Sequence, residues 1–298
     1  MTSFKSVLVP LDLAAAGAMG HTAEIEAALD QARWIAEASG ATLCLMSVVQ
    51  DAEAAVLELL EHRLRSLADA RLAGLDVTVH ASAGKPFVDI VRKVTRDGHD
   101  LVVVGPRAAH RRHAGLVGST ALTLLRKCPS AVWVATRPGT GKPAVVLSAV
   151  AMHSTMPSIL KLSAEICTES EAAWHVLHVP EYPAEGGMRL RGVDAETLEA
   201  YQKEVRDAGW TDLHKAVDPV ATKYKLTPKL WMSEGLASEK IDEAAKELSA
   251  DVVVMGTVAR HGLGGLLLGS TAEKVCSRIE TGLLVVKPDD FVSPISAE

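Results

Sequence analysis

DVVVMGTVARHGLGGLLLGSTA, residues 251–272, decides the fold. Val252, Val253, Val254 and Met255 form the short apolar run that a fully buried strand needs. Gly256 breaks the run, and a loop containing Gly262, Gly264 and Gly265 follows. The chain restarts at Gly269-Ser270-Thr271 and continues as TAEKVCSRI, which has helical spacing. A strand, a glycine-rich loop and a helix start, in that order, predict an anion site. The first amides of a helix lack intrahelical partners, and the helix dipole adds partial positive charge there. Glycines let the backbone come close to a phosphate. Ser270 and Thr271 can either cap the helix or bond a phosphate oxygen.

The same layout occurs at residues 100–121, DLVVVGPRAAHRRHAGLVGSTA. Gly105 matches Gly256, Ala108 matches Ala259, Gly118 matches Gly269, and Ser119-Thr120 match Ser270-Thr271. The offset is constant: 256 − 105 = 151 and 269 − 118 = 151. It also holds for Gly84 with Gly235 and for Val132 with Leu283. One register kept through strand, loop, helix and next strand means an internal duplication. The expected units are residues 1–138 and 139–298.

Composition narrows the function classes. The chain has 298 residues, the length of about two domains, and 48% of them are hydrophobic, enough for two cores. A net charge of −6 without a dense basic patch argues against a nucleic-acid partner. The four cysteines, Cys44, Cys128, Cys167 and Cys276, are scattered without a CxxC, and Cys44, Cys128 and Cys276 sit within apolar element patterns, so buried free thiols in a reducing compartment are expected. No stretch of ~18 apolar residues and no apolar signal region occurs. A cytoplasmic protein without a membrane partner is expected.

Taken in order, strands are expected at 7–11, 43–49, 77–81, 101–104 and 131–135. Helices are expected at 23–38, 54–75, 86–94 and 119–127, with Pro86 in a first turn. The second copy repeats this from 144–150 onward. It has a strand at 172–179, an irregular segment at 182–193, a polar helical stretch at 194–217 and a strand at 230–232. Pro228 suits an edge position for that last strand. Strands alternating with helices predict an α/β chain of two doubly wound, parallel, five-stranded sheets of flavodoxin or Rossmann type. The linker RPGTGKP, residues 137–143, is not a P-loop, because Pro143 follows the Lys where that motif needs Ser or Thr.

GTVARHGLGGLLLGSTAEKV resembles the nucleotide loop of the universal stress protein family, whose pattern is Gly, two residues, Gly, nine residues, Gly, then Ser or Thr. Val7-Leu8-Val9-Pro10-Leu11-Asp12 resembles the family's first strand and its adenine-side aspartate. LLRKCPS at 124–130 and the ending LLVVKPDDF resemble the tandem, E-type branch. The resemblance covers nearly the whole chain twice. It implies ATP, with Mg²⁺, as the ligand, a role in stress response and signalling, and at most weak ATP hydrolysis. Thr257 and the Gly256 backbone would meet the ribose side. Ala259, Arg260, Gly262, Gly269, Ser270 and Thr271 would surround the phosphates, with Asp12, Gly105, Gly118, Ser119 and Thr120 as the first copy's counterparts. The copies would pair through Val132–Val134 and Leu283–Val286, within one chain or again in a homodimer.

The departures are specific. Ala108 and Ala259 replace the family's second glycine, and Val150 aligns with Asp12, which removes the second copy's base or ribose anchor. The first copy's loop is PRAAHRRHA. Two alternatives therefore stand beside ATP: an interaction protein without nucleotide, and an apolar or nucleotide-sugar ligand entering near residues 182–193. That segment is either a ligand mouth or an insertion. The run from His110 to His113 is an anion contact or a solvated loop. His175 and His178, three apart on a strand, face opposite sides and make no joint metal site. No GxSxG, HExxH or supported Cys/His pairing is present.

Overall fold

A computed structural model of the chain describes residues 3–14, 22–106, 117–135, 138–139, 141–257 and 268–296. The first half runs β1 (Ser6–Pro10), α1 (Ala23–Ser39), β2 (Thr42–Val49), α2 (Ala54–Arg71), β3 (Val77–Ala83), α3 (Pro86–Asp97), β4 (Leu101–Val104), α4 (Ser119–Lys127) and β5 (Ala131–Val134). Local chemistry sets these limits. Thr22 Oγ1 accepts the Ile25 amide to start α1, and Gly40 ends it at φ 70°. Gly98 ends α3 the same way at φ 72°.

The second half repeats the order as β6 (Val145–Val150), α5 (Met156–Ser170), β7 (Ala173–His178), α6 (Glu185–Leu190), α7 (Ala195–Tyr224), β8 (Lys229–Met232), α8 (Ala237–Glu247), β9 (Val252–Gly256), α9 (Ser270–Arg278) and β10 (Gly282–Val286). Two differences from the expectation stand out. The segment 182–193 is not wholly irregular, because it contains α6. The helix after it does not stop near Val217 but continues past Pro219 to Tyr224. Leu213, Val217 and Ala221 recur at a spacing of four and are buried on both sides of the proline, which holds the final turns in place.

The sheet order is β3-β2-β1-β4-β5-β10-β9-β6-β7-β8. Within each half all pairings are parallel, so the doubly wound expectation holds for both. The two sheets do not remain separate. β5 and β10 pair antiparallel, Leu283 with Val134, Leu284 with Trp133 and Val285 with Val132, to give one ten-stranded sheet. These are the strands expected to pair. β8, with Pro228 beside it, is an edge strand as expected.

A repeated carboxylate anchors both halves. Asp100 accepts the Lys5 and Ser6 amides, and Asp251 accepts those of Ala144 and Val145. The spacing is again 251 − 100 = 151. Each terminus also reaches across to the other half. Ser3 donates through its N and Oγ to Glu165 on α5, while Lys287 Nζ donates to the Leu125 carbonyl and Ser293 Oγ to that of Lys127, both at the end of α4. All four cysteines are free and buried. Burial pushes the Cys128 thiol up to about 11 and those of Cys167 and Cys276 up to about 12.

Candidate functional site

In a parallel sheet the ligand end is the carboxyl end of the strands, where the helices begin. Because β5 and β10 run antiparallel, the two halves present those ends in opposite directions. The chain therefore carries two separate candidate sites.

In the second half the ends of β6 and β9 and the starts of α5, α8 and α9 enclose a cavity of about 230 Å³. Val150, Ala151, Met255 and Gly256 supply the strand ends, and Thr155, Ala237 and Ser270 mark the three helix starts. Three helix starts line one space, and the partial positive charge of a helix N-terminus favours an anion. Gly269 and Thr271 line the cavity beside Ser270. The Gly269 N–H is committed to the Thr257 carbonyl at 2.9 Å, which ties the helix start to the end of β9. Among the described residues no side chain caps α9, and neither the Ser270 nor the Thr271 amide has an acceptor. Those two amides are open to an acceptor. Thr257, 4% exposed, stands behind them rather than in the cavity wall. Ala259, Arg260 and Gly262 lie outside the described residues.

Gly256 has a packing reason to be glycine. A Cβ there would lie 2.7 Å from Thr155 Oγ1. Gly105, its first-half counterpart, would meet the Glu24 carbonyl oxygen at 2.3 Å, where the start of α1 closes on the strand. Both glycines let the first helix of each unit approach the fourth strand, whatever the ligand. Gly118, Ser119 and Thr120 sit at the start of α4, with the last two exposed and open space around Gly118. Asp12 is exposed just beyond β1. Ala108 and the run from His110 to His113 are outside the described residues.

The strand register corrects one equivalence. Val7 pairs with Leu101 and Val146 with Val252, and Leu101 and Val252 are counterparts at 252 − 101 = 151. Val146 therefore matches Val7, and Asp12, five residues on, matches Ala151 rather than Val150. The sequence alignment slipped by one because both candidate residues are apolar, so no side-chain signal marked the register. The second half lacks the carboxylate under either alignment.

Sequence reasoning missed His153, Thr155, Glu181 and Ile241, which also line the cavity. The sequence signal of the first three was position after a strand or at a helix start, and that of Ile241 was its place on the apolar side of α8. Tyr182 borders a neighbouring, more open space of about 530 Å³ with Glu181, Glu185, Gln202 and Glu234. Its ring meets that of Tyr201 edge-on, with centroids 6.4 Å apart. His175 and His178 face opposite sides as expected. Trp231 Nε1 donates to His175 Nδ1 at 2.9 Å, and His178 Nδ1 bonds the Val150 carbonyl at 3.0 Å. Burial lowers both imidazole pKa values. Among the described residues no group of three or more His, Cys, Asp or Glu is gathered to hold a metal ion. No described helix is long and apolar enough to cross a membrane.

The family model "Universal stress protein family" matches residues 3–136 and again 145–287. Universal stress protein E of Escherichia coli K12 is 31% identical over 218 residues, covering 72% of this chain and 69% of that protein. Its Photorhabdus laumondii namesake is 26% identical over 235 residues, covering 76% and 73%. Among solved structures, a functionally unknown protein of Pseudomonas aeruginosa PAO1 shares the fold with a TM-score of 0.70 at 24% identity, over 97% of this chain and 94% of that one. A universal stress protein from Archaeoglobus fulgidus gives 0.61 at 16% identity, over 96% and 99%.

Proposed function

Because the chain belongs to the universal stress protein family and carries its unit twice, we propose that its second half binds a phosphate-bearing small molecule. The observation that supports this reading is the pair of acceptor-free amides, Ser270 and Thr271, at a helix start that opens on a cavity. The family resemblance names ATP, held with Mg²⁺ through its phosphates, while the geometry itself asks only for an anion. Ser270 and Thr271 bind the anion, and Gly269 holds the helix start in place. The units are residues 1–138 and 139–298, and the protein serves in cytoplasmic stress signalling. The internal seam takes the place of a contact between two chains.

Ser270→Glu tests the reading. A carboxylate in the first turn favours the helix through its dipole, by about 0.3–1 kcal/mol, yet it occupies and repels the anion position. Binding of ATP or inorganic phosphate by the intact chain, followed by calorimetry, is expected to weaken at least tenfold while thermal stability holds. Unchanged binding would refute the placement of the phosphate.

A further inference from the structure

The phosphate reading leaves open what the rest of the ligand is, and the following inference depends on that reading. In the first half the chain leaves β1 and reaches Asp12, a carboxylate able to accept a sugar hydroxyl or an exocyclic amine. In the second half the register places Ala151 at that point. The cavity wall around it is made of Val150, Ile159, Leu177, Ile241 and Met255, each at most 5% exposed. Ribose hydroxyls brought against those five side chains lose water and gain no acceptor from them. Glu181 is the carboxylate of the lining and, like Asp12, already has an interaction within the protein.

Thr155 provides an observation of the opposite kind. It is 5% exposed, it lines the cavity at the start of α5, and its hydroxyl makes no hydrogen bond among the described residues. A hydroxyl of a buried residue, bonded to no other described group and lining a cavity beside three helix starts, is placed to donate to an anionic oxygen.

We infer that the second-half cavity selects a phosphate monoester with an apolar organic part over a ribonucleotide. The Ser270 and Thr271 amides and the Thr155 hydroxyl hold the phosphate. Ala151 is the residue that sets the selection.

The test uses the full chain, labelled at isoleucine and methionine methyl groups. Ile159, Ile241 and Met255 report this cavity alone, so binding in the first half does not interfere. Octyl phosphate, ATP, inorganic phosphate and octanol are titrated separately. Octyl phosphate is expected to bind at least tenfold tighter than ATP at those methyls. Ala151→Asp, at an exposed position, is expected to shift the ATP to octyl phosphate affinity ratio at least tenfold toward ATP. Thr155→Val is expected to weaken octyl phosphate several-fold and leave octanol unchanged.

ATP binding as tightly as octyl phosphate would overturn the inference while leaving the phosphate site intact. A ratio unmoved by Ala151→Asp would overturn the role of that residue. Octanol matching octyl phosphate would remove the phosphate site and this inference together.

Discussion

Replacing Trp133 with alanine is expected to destabilise the whole protein by about 3–5 kcal/mol, the range for deleting a large buried aromatic side chain. Trp133 is 1% exposed in β5. It pairs with Val103 in β4 on one side and with Leu284 in β10 on the other, so it lies on the seam that joins the halves. Its ring meets Trp34 of α1 edge-on, with centroids 6.1 Å apart and planes at 70°. That geometry adds about 0.5–1.5 kcal/mol to simple burial. Total stability of ordinary domains is only about 5–15 kcal/mol, so the loss is a large share. Urea unfolding should show a lower midpoint with both halves affected. Trp231→Ala is the control. Trp231 is 38% exposed on the edge strand β8, and its loss should be well below that of Trp133. Equal effects at the two positions would show that the seam is not packed as described.

The second large effect depends on pH. Lys287 follows β10, is 6% exposed, donates to the Leu125 carbonyl and lies 4.7 Å from the Phe291 ring centroid. Burial lowers its pKa to about 8 from 10.5, against smaller opposing influences from Cys128 and Cys276. A lysine whose folded pKa is depressed binds its proton more weakly in the folded chain. The penalty for burying its charge is therefore full below pH 8, shrinks as pH rises, and is gone above 10.5. That penalty corresponds to about 3 kcal/mol. Lys287→Met removes it but leaves the Leu125 carbonyl without its donor, a loss of about 1–3 kcal/mol. The variant should equal or exceed wild-type stability at pH 6–7 and lose ground steadily between pH 8 and 10.5. Loss of the Lys287 charge raises the Cys128 and Cys276 thiols further, away from this pH window, so they add little to the difference. A stability difference that is flat with pH would contradict the burial of the charge.

The elements that were legible in sequence are those whose signals are local. Val252 to Met255 and Leu101 to Val104 read as buried strands because a fully covered parallel strand must be apolar throughout. Gly84 and Gly235, matched by the repeat, both take positive φ, at 156° and 125°. What stayed hidden depends on distant residues. Gly186 and Gly187 masked α6, and Pro219 concealed the final turns of α7, which buried contacts hold in place. The contacts of Lys287 and Ser293 with the end of α4 span 162 and 166 residues, so no local pattern could announce them. The Lys287 contact ties LLVVKPDDF to the helix that ends in LLRKCPS. At the site, the helix start at Ser270 was legible. Thr155 and Ala151 were not, because their importance comes from the strand register.

Amide resonances of Ser270 and Thr271, followed during titration of the intact chain with inorganic phosphate and then ATP, test the central claim most directly. Saturable shifts concentrated on those two amides, and lost in Ser270→Glu, are the predicted result. Shifts elsewhere with Ser270 and Thr271 unmoved would contradict it.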